Sequence, residues 1–375
     1  MRIIISGGGT GGHIYPAITI ARAIAGLTDC EILFVGTKTG LEADIVPKEG
    51  FAFATVDAGG LERRLTLANF RALFRAASGL FQSLALVRRF RPDLVIGTGG
   101  YVCGPVLLTA SLLGVPTIIQ EQNVIPGVTN RILARFVRKI AVGYPEAGQF
   151  FGAGGDKVFV TGNPVRPAVL NATRQQGLAA FGLAADRLTL LVAGGSRGAR
   201  TLNTAMVEVH RRFAGRGNLQ ILHVTGQNEY NNIVGLIRQA GIDIEKTGNI
   251  TVVPYLYNMP EALAVADLAI FRAGAIGLAE LTARGVPAVL VPYPYAAENH
   301  QEHNARVLEK SGAAVVIRDA ELTGERLAAA VESLIGDRAT LAAMAQASKA
   351  LGRPEAAEAI ARLAIAEAGL PPNTR

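Results

Sequence analysis

Short apolar runs alternate with segments of helical spacing throughout the first part of the chain. The runs are rich in Val and Ile and lie at 3–6, 32–35, 52–56, 94–97, 117–120 and 140–142. Strands buried on both faces of a parallel sheet have this composition, and alternation with helices is typical of doubly wound α/β folds. A second series follows at 188–193, 220–224, 251–254, 268–271, 288–291 and 313–317.

The two series share local sequence in the same order. DLVIGTG at 93–99 is similar to DLAIFRAG at 267–274, and each is followed by Gly-Val-Pro, at 114–116 and 285–287. Such ordered matches indicate a duplication. We therefore predict two Rossmann-like domains, 1–162 and 163–340, joined at the stiff, proline-containing segment 161–167. A helical segment, 341–375, is expected to pack back towards the N-terminal domain.

Composition indicates a globular protein of a reducing compartment. Of 375 residues, 50% are hydrophobic and 18% are charged, which suits two full cores. Two cysteines, Cys30 and Cys103, lie in or beside apolar segments and suggest neither a disulfide framework nor a metal cluster. We expect no signal peptide before the first strand. We expect no transmembrane helix either, because the longest weakly polar stretch, 104–119, is interrupted by prolines and polar residues.

The net charge of +7 favours anionic partners, whereas the absence of tryptophan and an aromatic content of 6% argue against nucleic acid. The segment 63–91 carries seven arginines and no acid, interleaved with apolar residues at helical spacing. It is interpreted either as a helix lying on an anionic bilayer or as a core-packed helix with a solvated basic face. The residues expected in a membrane patch are Phe70, Arg71, Phe74, Arg75, Leu80 and Phe81.

The stretch GGGTGGH at 7–13 directly follows the first predicted strand and precedes a helix expected to open at Pro16. Glycines let the backbone approach an anion, and the helix start supplies free N–H groups, so this stretch predicts a phosphate site. It fits the pattern G-x-G-x-x-G, but the next strand ends in Gly-Thr-Lys at 36–38, without a carboxylate for the ribose of NAD. An ATP P-loop is excluded because His13 and Ile14 follow the last glycine.

Further motifs accompany this loop along the chain. They are GGGTGGHIYP at 7–16, GGYVCGP at 99–105, EQN at 121–123, GNPVR at 162–166, GGSRGAR at 194–200, and RAGA at 272–275 followed by Glu280, His300, Gln301 and Asn304. Together, from about residue 2 to 320, they resemble the MurG family of UDP-N-acetylglucosamine (UDP-GlcNAc) transferases.

The resemblance implies a GT-B fold, in which two Rossmann-like domains face a central cleft, and an inverting transfer of GlcNAc in peptidoglycan synthesis. The implied acceptor is the C4 hydroxyl of MurNAc-pentapeptide on undecaprenyl diphosphate, so that lipid I becomes lipid II. The family is peripheral to the cytoplasmic face of the cell membrane, which implies an anionic membrane surface and other cell-wall synthesis proteins as partners. It implies no cofactor. No Asp-x-Asp follows a strand end, so we also expect no protein-held metal.

For the donor, the resemblance assigns residues mainly to the second domain. Glu280, read as an unpaired acid on an apolar helix, would accept hydrogen bonds from the ribose hydroxyls. Arg166, Ser196 and the N–H groups of the loop at 194–200 would hold the diphosphate. The remaining donor contacts are Leu256 for uracil and Asn123, Gln301, Glu302 and Asn304 for the sugar. Phe271, Gly277 and Glu302 depart from the family pattern, so fewer hydroxyl contacts to UDP are expected.

For the acceptor, the resemblance assigns the first domain, with the loop at 7–13 facing the lipid-linked diphosphate. The implied acceptor residues are Thr10, Gly11, Gly12, Tyr101 and Asn123. His13 is the candidate general base, because a neutral imidazole can take a proton at cellular pH. Glu121 is the reserve base.

Two alternative functions stay open. One is a UDP-GlcNAc 2-epimerase or another GT-B enzyme of UDP-sugars, which would share the donor half but need no lipid acceptor. The other is a basic, non-catalytic scaffold at a membrane or on nucleic acid, which would explain the charge but not the glycine loops.

Overall fold

The computed structural model of the chain describes residues 1–59, 67–152, 155–195 and 198–369, and of residues 67–76 and 155 it describes the backbone alone. The chain forms two compact units. Unit 1 comprises Met1–Pro164 and the chain from Glu355 onwards, and unit 2 comprises Val165–Pro354.

Unit 1 begins with an alternation of strands and helices. Its strands are β1 (Arg2–Gly7), β2 (Glu31–Gly36), β3 (Ala52–Thr55), β4 (Leu94–Gly99), β5 (Thr117–Glu121), β6 (Lys139–Val142) and β7 (Val158–Val160). Its helices up to this point are α1 (Gly11–Leu27), α2 (Glu42–Lys48), α3 (Leu67–Phe90), α4 (Cys103–Leu112) and α5 (Val128–Leu133), with a 3₁₀ segment at Pro145–Phe151.

The strands of unit 1 form one parallel sheet in the order β3-β2-β1-β4-β5-β6-β7. Ile4 of β1 lies in register with Leu33 of β2 and with Val95 of β4. Alternate residues of β1 enter opposite layers: Ile3 packs with α1, while Ile4 packs with α4. Since both faces are covered, the strands are continuous apolar runs, as predicted.

Unit 2 repeats this architecture. Its strands are β8 (Leu188–Ala193), β9 (Leu219–Val224), β10 (Ile250–Val253), β11 (Leu268–Phe271), β12 (Ala288–Leu290) and β13 (Ala314–Val316). Its helices are α6 (Pro167–Asn171), α7 (Arg174–Phe181), α8 (Arg200–Phe213), α9 (Tyr230–Gln239), α10 (Ile244–Thr247), α11 (Met259–Val265), α12 (Ala275–Arg284), α13 (His300–Lys310), α14 (Gly324–Gly336) and α15 (Arg338–Leu351).

The sheet of unit 2 is also parallel and has the order β10-β9-β8-β11-β12-β13. Its strands follow the same sequential order as the first six of unit 1, and the prediction of two doubly wound parallel sheets is confirmed. One strand was not predicted: β7 is only three residues long and lies at the sheet edge, where a short partly exposed run carries little apolar signal.

The segment 341–375 differs from the prediction in its first half. α15 belongs to unit 2, where it packs against α12 and α14. Gly352 and Pro354 interrupt the helical pattern, and α16 (Ala356–Glu367) then packs in unit 1 against α1. Buried Ile360 and Ile365 join the core beneath β1. Lys139 of β6 lies 3.6 Å from Glu367 at the end of this helix.

Helix α1 begins at Gly11 and not, as predicted, at Pro16, which lies inside it. Glycines have low helix propensity, so the sequence pattern understates the first turn. Along the part of the chain that the structure describes, no helix is both long enough and apolar enough to cross a membrane.

Candidate active site

The first glycine loop joins β1 to α1 through close backbone contacts. A side chain at Gly7 would place Cβ 2.0 Å from the Thr98 hydroxyl oxygen, so only glycine fits there. Gly9 has φ +82°, a left-handed conformation that glycine adopts without strain. Thr10 is the N-cap residue of α1, and its side chain makes no capping hydrogen bond to the helix.

A buried carboxylate supports this loop from behind. Glu42 is 1% exposed and accepts hydrogen bonds from the Gly9 N–H (2.9 Å), the Thr37 N–H (2.9 Å) and the Thr37 hydroxyl (2.8 Å). Burial raises the pKa of the Glu42 carboxyl, but the hydrogen bonds from Gly9 and Thr37 outweigh it and hold the pKa below its ordinary value. The carboxylate is therefore charged at neutral pH.

Glu42 also corrects the expectation that no carboxylate follows β2. The turn at 37–41 brings Glu42 back to the first glycine loop, although it lies six residues after the end of the strand. Its oxygens are used by the protein backbone and by Thr37, and the side chain is buried. A ribose cannot reach it, so Glu42 does not make the loop a site for NAD.

His13 lies in the first turn of α1, over the loop that precedes it. Its Nδ1 is 3.0 Å from the Gly8 carbonyl oxygen and 3.4 Å from the Thr10 hydroxyl. A carbonyl oxygen can only accept, so Nδ1 carries the proton and Nε2 keeps a lone pair. The Thr98 hydroxyl donates to the His13 carbonyl oxygen at 2.8 Å and ties this turn to the end of β4. With Nδ1 bonded in this way, Nε2 is the ring nitrogen that can accept a proton.

A second glycine pair, after β4, leaves room for the imidazole. Gly99 and Gly100 have φ +112° and +89°. A Cβ at Gly99 would lie 2.7 Å from the His13 ring, and one at Gly100 would lie 2.5 Å from the Gly8 carbonyl oxygen. Tyr101, which follows, is 66% exposed and available to a ligand.

Cys103 fixes this glycine pair from the core. Its Sγ lies 3.0 Å from the carbonyl oxygens of Ser6 and Gly99, and it accepts from the Gly99 N–H at 3.3 Å. Burial raises the pKa of the Cys103 thiol to about 11, so it stays a neutral donor. The thiol therefore has a structural role.

Glu121, the reserve base, is hydrogen-bonded to the loop after β5. It is 2% exposed, and its carboxylate accepts from the Asn123 N–H (2.9 Å), the Gly127 N–H (3.1 Å) and the Asn130 amide (2.8 Å). The Asn123 side chain donates to the same carboxylate at 3.2 Å. This geometry makes Glu121 the organiser of the Asn123 loop and favours His13 as the base.

In unit 2 the glycine loop after β8 also contains glycines in left-handed conformations. Gly195 and Gly198 have φ +93° and +80°, and a Cβ at Gly198 would lie 2.5 Å from the Thr225 carbonyl oxygen. Ser196, the expected diphosphate contact, lies outside the described residues. Helix α8 begins directly after the loop, at Arg200.

Buried neutral groups support this second loop. Asn203 donates to the Thr225 carbonyl oxygen at 2.7 Å, and its side-chain oxygen lies 3.1 Å from His223 Nε2. His223 Nδ1 in turn lies 3.0 Å from His210 Nε2. Burial lowers the pKa of His210 to about 3, and burial followed by the charge of His210 lowers that of His223 well below its ordinary value. Both rings are therefore neutral.

Arg166 and Glu280 contact each other. Arg166 Nε donates to Glu280 Oε1 at 2.7 Å, and the Glu280 side chain is 8% exposed. Glu280 is thus not the unpaired acid that the sequence predicts. The segment before α6 brings a distant cation to α12, and local sequence does not reveal that approach. The structure does bring Arg166, which is assigned to the diphosphate, into contact with Glu280, which is assigned to the ribose.

The expected sugar-binding residues lie at the start of α13. The side-chain oxygen of Gln301 accepts from the Tyr293 N–H at 2.9 Å. Buried Asn304 donates to the Ala273 carbonyl oxygen at 3.4 Å. Glu298 and Asn299 before the helix both adopt left-handed conformations. These contacts place α13 against the chain that follows β11 and β12.

Glu302 is held in a network of its own. Its carboxylate accepts from Arg318 (2.8 Å), Arg306 (3.2 Å) and Asn299 (3.1 Å). The hydrogen bond from Arg318, followed by that from Asn299, lowers the pKa of Glu302 to about 2.

Leu256 is half-buried in the connection between β10 and α11.

Part of the predicted membrane patch lies on α3. Phe81 is 73% exposed and Leu80 is 37% exposed. The side chains of Phe70, Arg71, Phe74 and Arg75 lie outside the described part of the chain. α4 packs beside α3 and exposes Leu112 (72%). Exposed apolar side chains are therefore present on both of these neighbouring helices.

Sequence comparison assigns both units to one family. Residues 3–142 match the glycosyltransferase family 28 N-terminal domain, and residues 189–360 match the glycosyltransferase family 28 C-terminal domain. The chain belongs to glycosyltransferase family 28. The first range lies within the predicted domain 1–162, whereas the second begins in the predicted domain 163–340 and continues into the predicted helical segment 341–375. The relatives below confirm the resemblance to the MurG family.

A protein of Desulforamulus reducens is 51% identical over 357 residues, which cover 95% of this chain and 96% of that protein. It is named UDP-N-acetylglucosamine–N-acetylmuramyl-(pentapeptide) pyrophosphoryl-undecaprenol N-acetylglucosamine transferase. The crystal structure of Acinetobacter baumannii MurG aligns with a TM-score of 0.78 and 29% identity, covering 97% of this chain and 99% of that one. UDP-GlcNAc 2-epimerase from Neisseria meningitidis, solved with UDP-GlcNAc, aligns over 96% of this chain and 99% of that one with a TM-score of 0.69. At 13% identity, that likeness is one of fold alone.

The sequence analysis missed the groups that support the site from behind. Glu42, Cys103 and His223 all lie in or next to the core and touch the glycine loops or the chain beneath them. The signal available was weak: His223 is a polar residue within the apolar run of β9, whereas the polar sequence around Glu42 does not mark that carboxylate as buried. Only the folded chain shows which backbone groups these side chains bind.

Proposed function

We propose that the chain transfers GlcNAc from UDP-GlcNAc to the C4 hydroxyl of MurNAc-pentapeptide on undecaprenyl diphosphate, with inversion at the anomeric carbon. The observation that carries the proposal is the 51% identity, over 95% of this chain, to a relative named as that transferase. The glycine loops of units 1 and 2 provide one phosphate site for each substrate.

The acceptor diphosphate binds at the start of α1. The Gly8 and Gly9 N–H groups are already bonded, to the Gly99 carbonyl and to Glu42. The N–H groups of Gly11 and Gly12 belong to the first helical turn, which has no intrahelical acceptors for them. Together with Thr10 they bind the anion, while exposed Tyr101 and the Asn123 amide contact the acceptor sugar.

His13 acts as the general base. Its Nε2 lone pair takes the proton of the C4 hydroxyl as the oxygen attacks the anomeric carbon of GlcNAc, and UDP leaves with the bonding electrons. The Nδ1–H stays on the Gly8 carbonyl oxygen during this step. Glu121 orients Asn123 and takes no proton, because its carboxylate is buried and fully engaged.

The donor binds to unit 2. Glu280 accepts hydrogen bonds from the ribose hydroxyls. The Arg166 guanidinium offsets the charge that develops on the diphosphate as the bond breaks, and the Ser196 hydroxyl donates a hydrogen bond to it. Leu256 contacts uracil through its backbone. Gln301 binds the sugar hydroxyls. Asn304 is fully buried and holds α13 on the Ala273 carbonyl oxygen, and Glu302 contributes less because two arginines already occupy its carboxylate.

The enzyme is peripheral to the cytoplasmic face of the cell membrane, which it meets through α3 and α4. Exposed Leu80, Phe81 and Leu112 enter the interface, and the exposed side chains of Arg88 and Arg89 face anionic headgroups. Phe70, Arg71, Phe74 and Arg75 extend the same patch in this proposal.

Radiolabel transfer from UDP-GlcNAc to a lipid I analogue tests the function. We expect labelled lipid II and one UDP released for each sugar transferred. Conversion of UDP-GlcNAc to UDP-ManNAc without release of UDP would instead assign the chain to the epimerases. Saturating UDP-GlcNAc that left the melting temperature unchanged would favour a scaffold.

A further inference from the structure

One peptide group joins a buried carboxylate to His13. The N–H of Gly9 donates to Glu42 Oε2 at 2.9 Å, and the carbonyl oxygen of Gly8 accepts from His13 Nδ1 at 3.0 Å. The Gly8 carbonyl and the Gly9 N–H belong to the same planar amide and point in opposite directions. Carboxylate, amide and imidazole therefore form a continuous hydrogen-bonded chain.

Such a chain transmits the carboxylate charge. A carboxylate bonded to an amide N–H polarises that amide, and the carbonyl at its other end becomes a stronger acceptor. A strong acceptor on one ring nitrogen of a histidine fixes the tautomer and stabilises the imidazolium that forms when the other nitrogen takes a proton.

We infer that Glu42 is a positioning residue that acts on His13 through the Gly8–Gly9 peptide. It keeps the proton on Nδ1, leaves the Nε2 lone pair free for the acceptor hydroxyl and stabilises the imidazolium formed in the transfer. The inference rests on the proposed function, because it needs His13 to be the base. Glu42 touches no substrate, since it is 1% exposed.

The packing around Glu42 requires glycine at three positions. A Cβ at Gly8, Gly36 or Gly40 would lie within 2.4 Å of an atom of the Glu42 side chain. A neutral amide could fill the same space without the cost of burying a charge. The titratable neighbour on α4, Cys103, is a neutral thiol and cannot supply that charge.

A double-mutant cycle tests the inference. We expect Glu42→Gln to lower kcat by about 10- to 100-fold, the range found for groups that orient a functional histidine, with the KM for UDP-GlcNAc changed less than about twofold. In a His13→Ala background the same substitution should lower kcat less than about twofold, because the group through which it acts is gone. An equal loss in both backgrounds would overturn the inference and leave Glu42 a loop-packing residue.

Glu49→Gln is the matched control. It makes the same chemical change directly after α2, where Glu49 pairs with Arg22 on the surface, and kcat should stay within about twofold of wild type. If His13→Ala itself retained full kcat, the base assignment would fail with the positioning role, whereas full activity of Glu42→Gln alone would remove only the positioning role.

A spectroscopic measurement needs no substrate. The chain has five histidines, so ¹⁵N ring resonances of His13 can be assigned by their loss in His13→Gln. We expect the Nδ1–H tautomer in the wild type and a larger Nε2–H fraction in Glu42→Gln; an unchanged ratio would contradict the inference. Should Glu42→Gln fail to fold, Glu42→Asp keeps the charge, and we expect it to retain the wild-type tautomer and more than about a tenth of kcat.

Discussion

The two glycine loops have the same place in the two sheets but different support. In unit 1 a charged carboxylate, Glu42, accepts directly from the loop N–H of Gly9. In unit 2 the neutral groups Asn203, His223 and His210 form a buried chain that ends on the Thr225 carbonyl, beside Gly198. The two loops thus follow the equivalent central strand of each sheet, while the buried polar groups behind them differ.

The difference follows the work proposed for each loop. Unit 1 carries the base, and a charge behind its loop can act on an imidazole. Unit 2 binds the donor. The side chains that support its loop are neutral and do not offset the partial positive charge at the N-terminus of α8, which can therefore attract the UDP diphosphate. The predictions below alter one loop or unit at a time, beginning with the largest expected effect.

Gly100→Ala should disrupt the unit 1 loop while sparing unit 2. The new Cβ would meet the Gly8 carbonyl oxygen at 2.5 Å in a left-handed conformation, and we expect unit 1 to lose about 3 kcal/mol of unfolding free energy. Urea unfolding measures the loss, and calorimetry should show unchanged UDP affinity. Gly9→Ala is the control, because its Cβ meets no atom within 4 Å and only about 1 kcal/mol of backbone strain remains. Equal losses would show that sterics at Gly100 are unimportant.

Glu280→Gln should weaken the donor site of unit 2. Hydrogen bonds to a charged acceptor contribute about 1.5–3 kcal/mol, so the Kd for UDP should rise roughly 10- to 100-fold, measured by calorimetry. The Kd for uridine should rise as well, whereas Arg166→Met should weaken UDP more than uridine, because it removes a diphosphate contact as well as the partner of Glu280. Glu332→Gln breaks a surface pair with Arg212 and Arg216 and should leave both affinities unchanged. Unaltered uridine binding in Glu280→Gln would remove Glu280 from the ribose.

Acid should separate the two kinds of buried support. The folded-state pKa of His210 is about 3, below the ordinary 6.5, so the unfolded chain binds more protons between these values. The stability contribution is complete above pH 6.5 and declines as the pH falls towards 3, by about 2 kcal/mol for this residue between pH 7 and pH 5.

Urea unfolding of wild type and His210→Leu at pH 7 and pH 5 measures this contribution. We expect the leucine variant to lose about 2 kcal/mol less than wild type on acidification, whatever its stability at pH 7. His303→Gln, at an exposed histidine, should follow the wild-type curve. Identical pH dependence of wild type and His210→Leu would mean that the buried ring does not titrate on unfolding.

The sequence predicted the architecture because each strand buried on both faces is an apolar run, and because the duplication repeats the order of those runs. It predicted the ligand-facing loops because backbone positions with φ of +82° at Gly9 and +93° at Gly195 favour glycine, and clustered glycines are visible in the sequence. It could not predict the buried side chains that support these loops. Glu42 bonds to Gly9, 33 residues away, and Arg166 bonds to Glu280, 114 residues away. No local sequence pattern specifies contacts between residues so far apart in the chain.

The smallest expected effect concerns the outer surface of unit 1. The two units expose different apolar groups: Phe81 and Leu112 in unit 1, but Tyr257 and Tyr295 in unit 2. We expect Phe81→Ser to weaken binding to vesicles containing anionic phospholipid about fivefold, which corresponds to about 1 kcal/mol for a partly inserted ring.

Tyr257→Ser removes an aromatic ring that is 89% exposed in unit 2 and should not change vesicle binding, measured by co-sedimentation. Raising the salt concentration should weaken both variants, because arginines such as Arg88 and Arg89 contribute a screened attraction. If Tyr257→Ser weakened binding as much as Phe81→Ser, the membrane contact would not be specific to unit 1. Because tyrosine keeps a polar hydroxyl at its tip and phenylalanine does not, a selective loss at Phe81 would indicate insertion of an apolar ring rather than general surface adhesion.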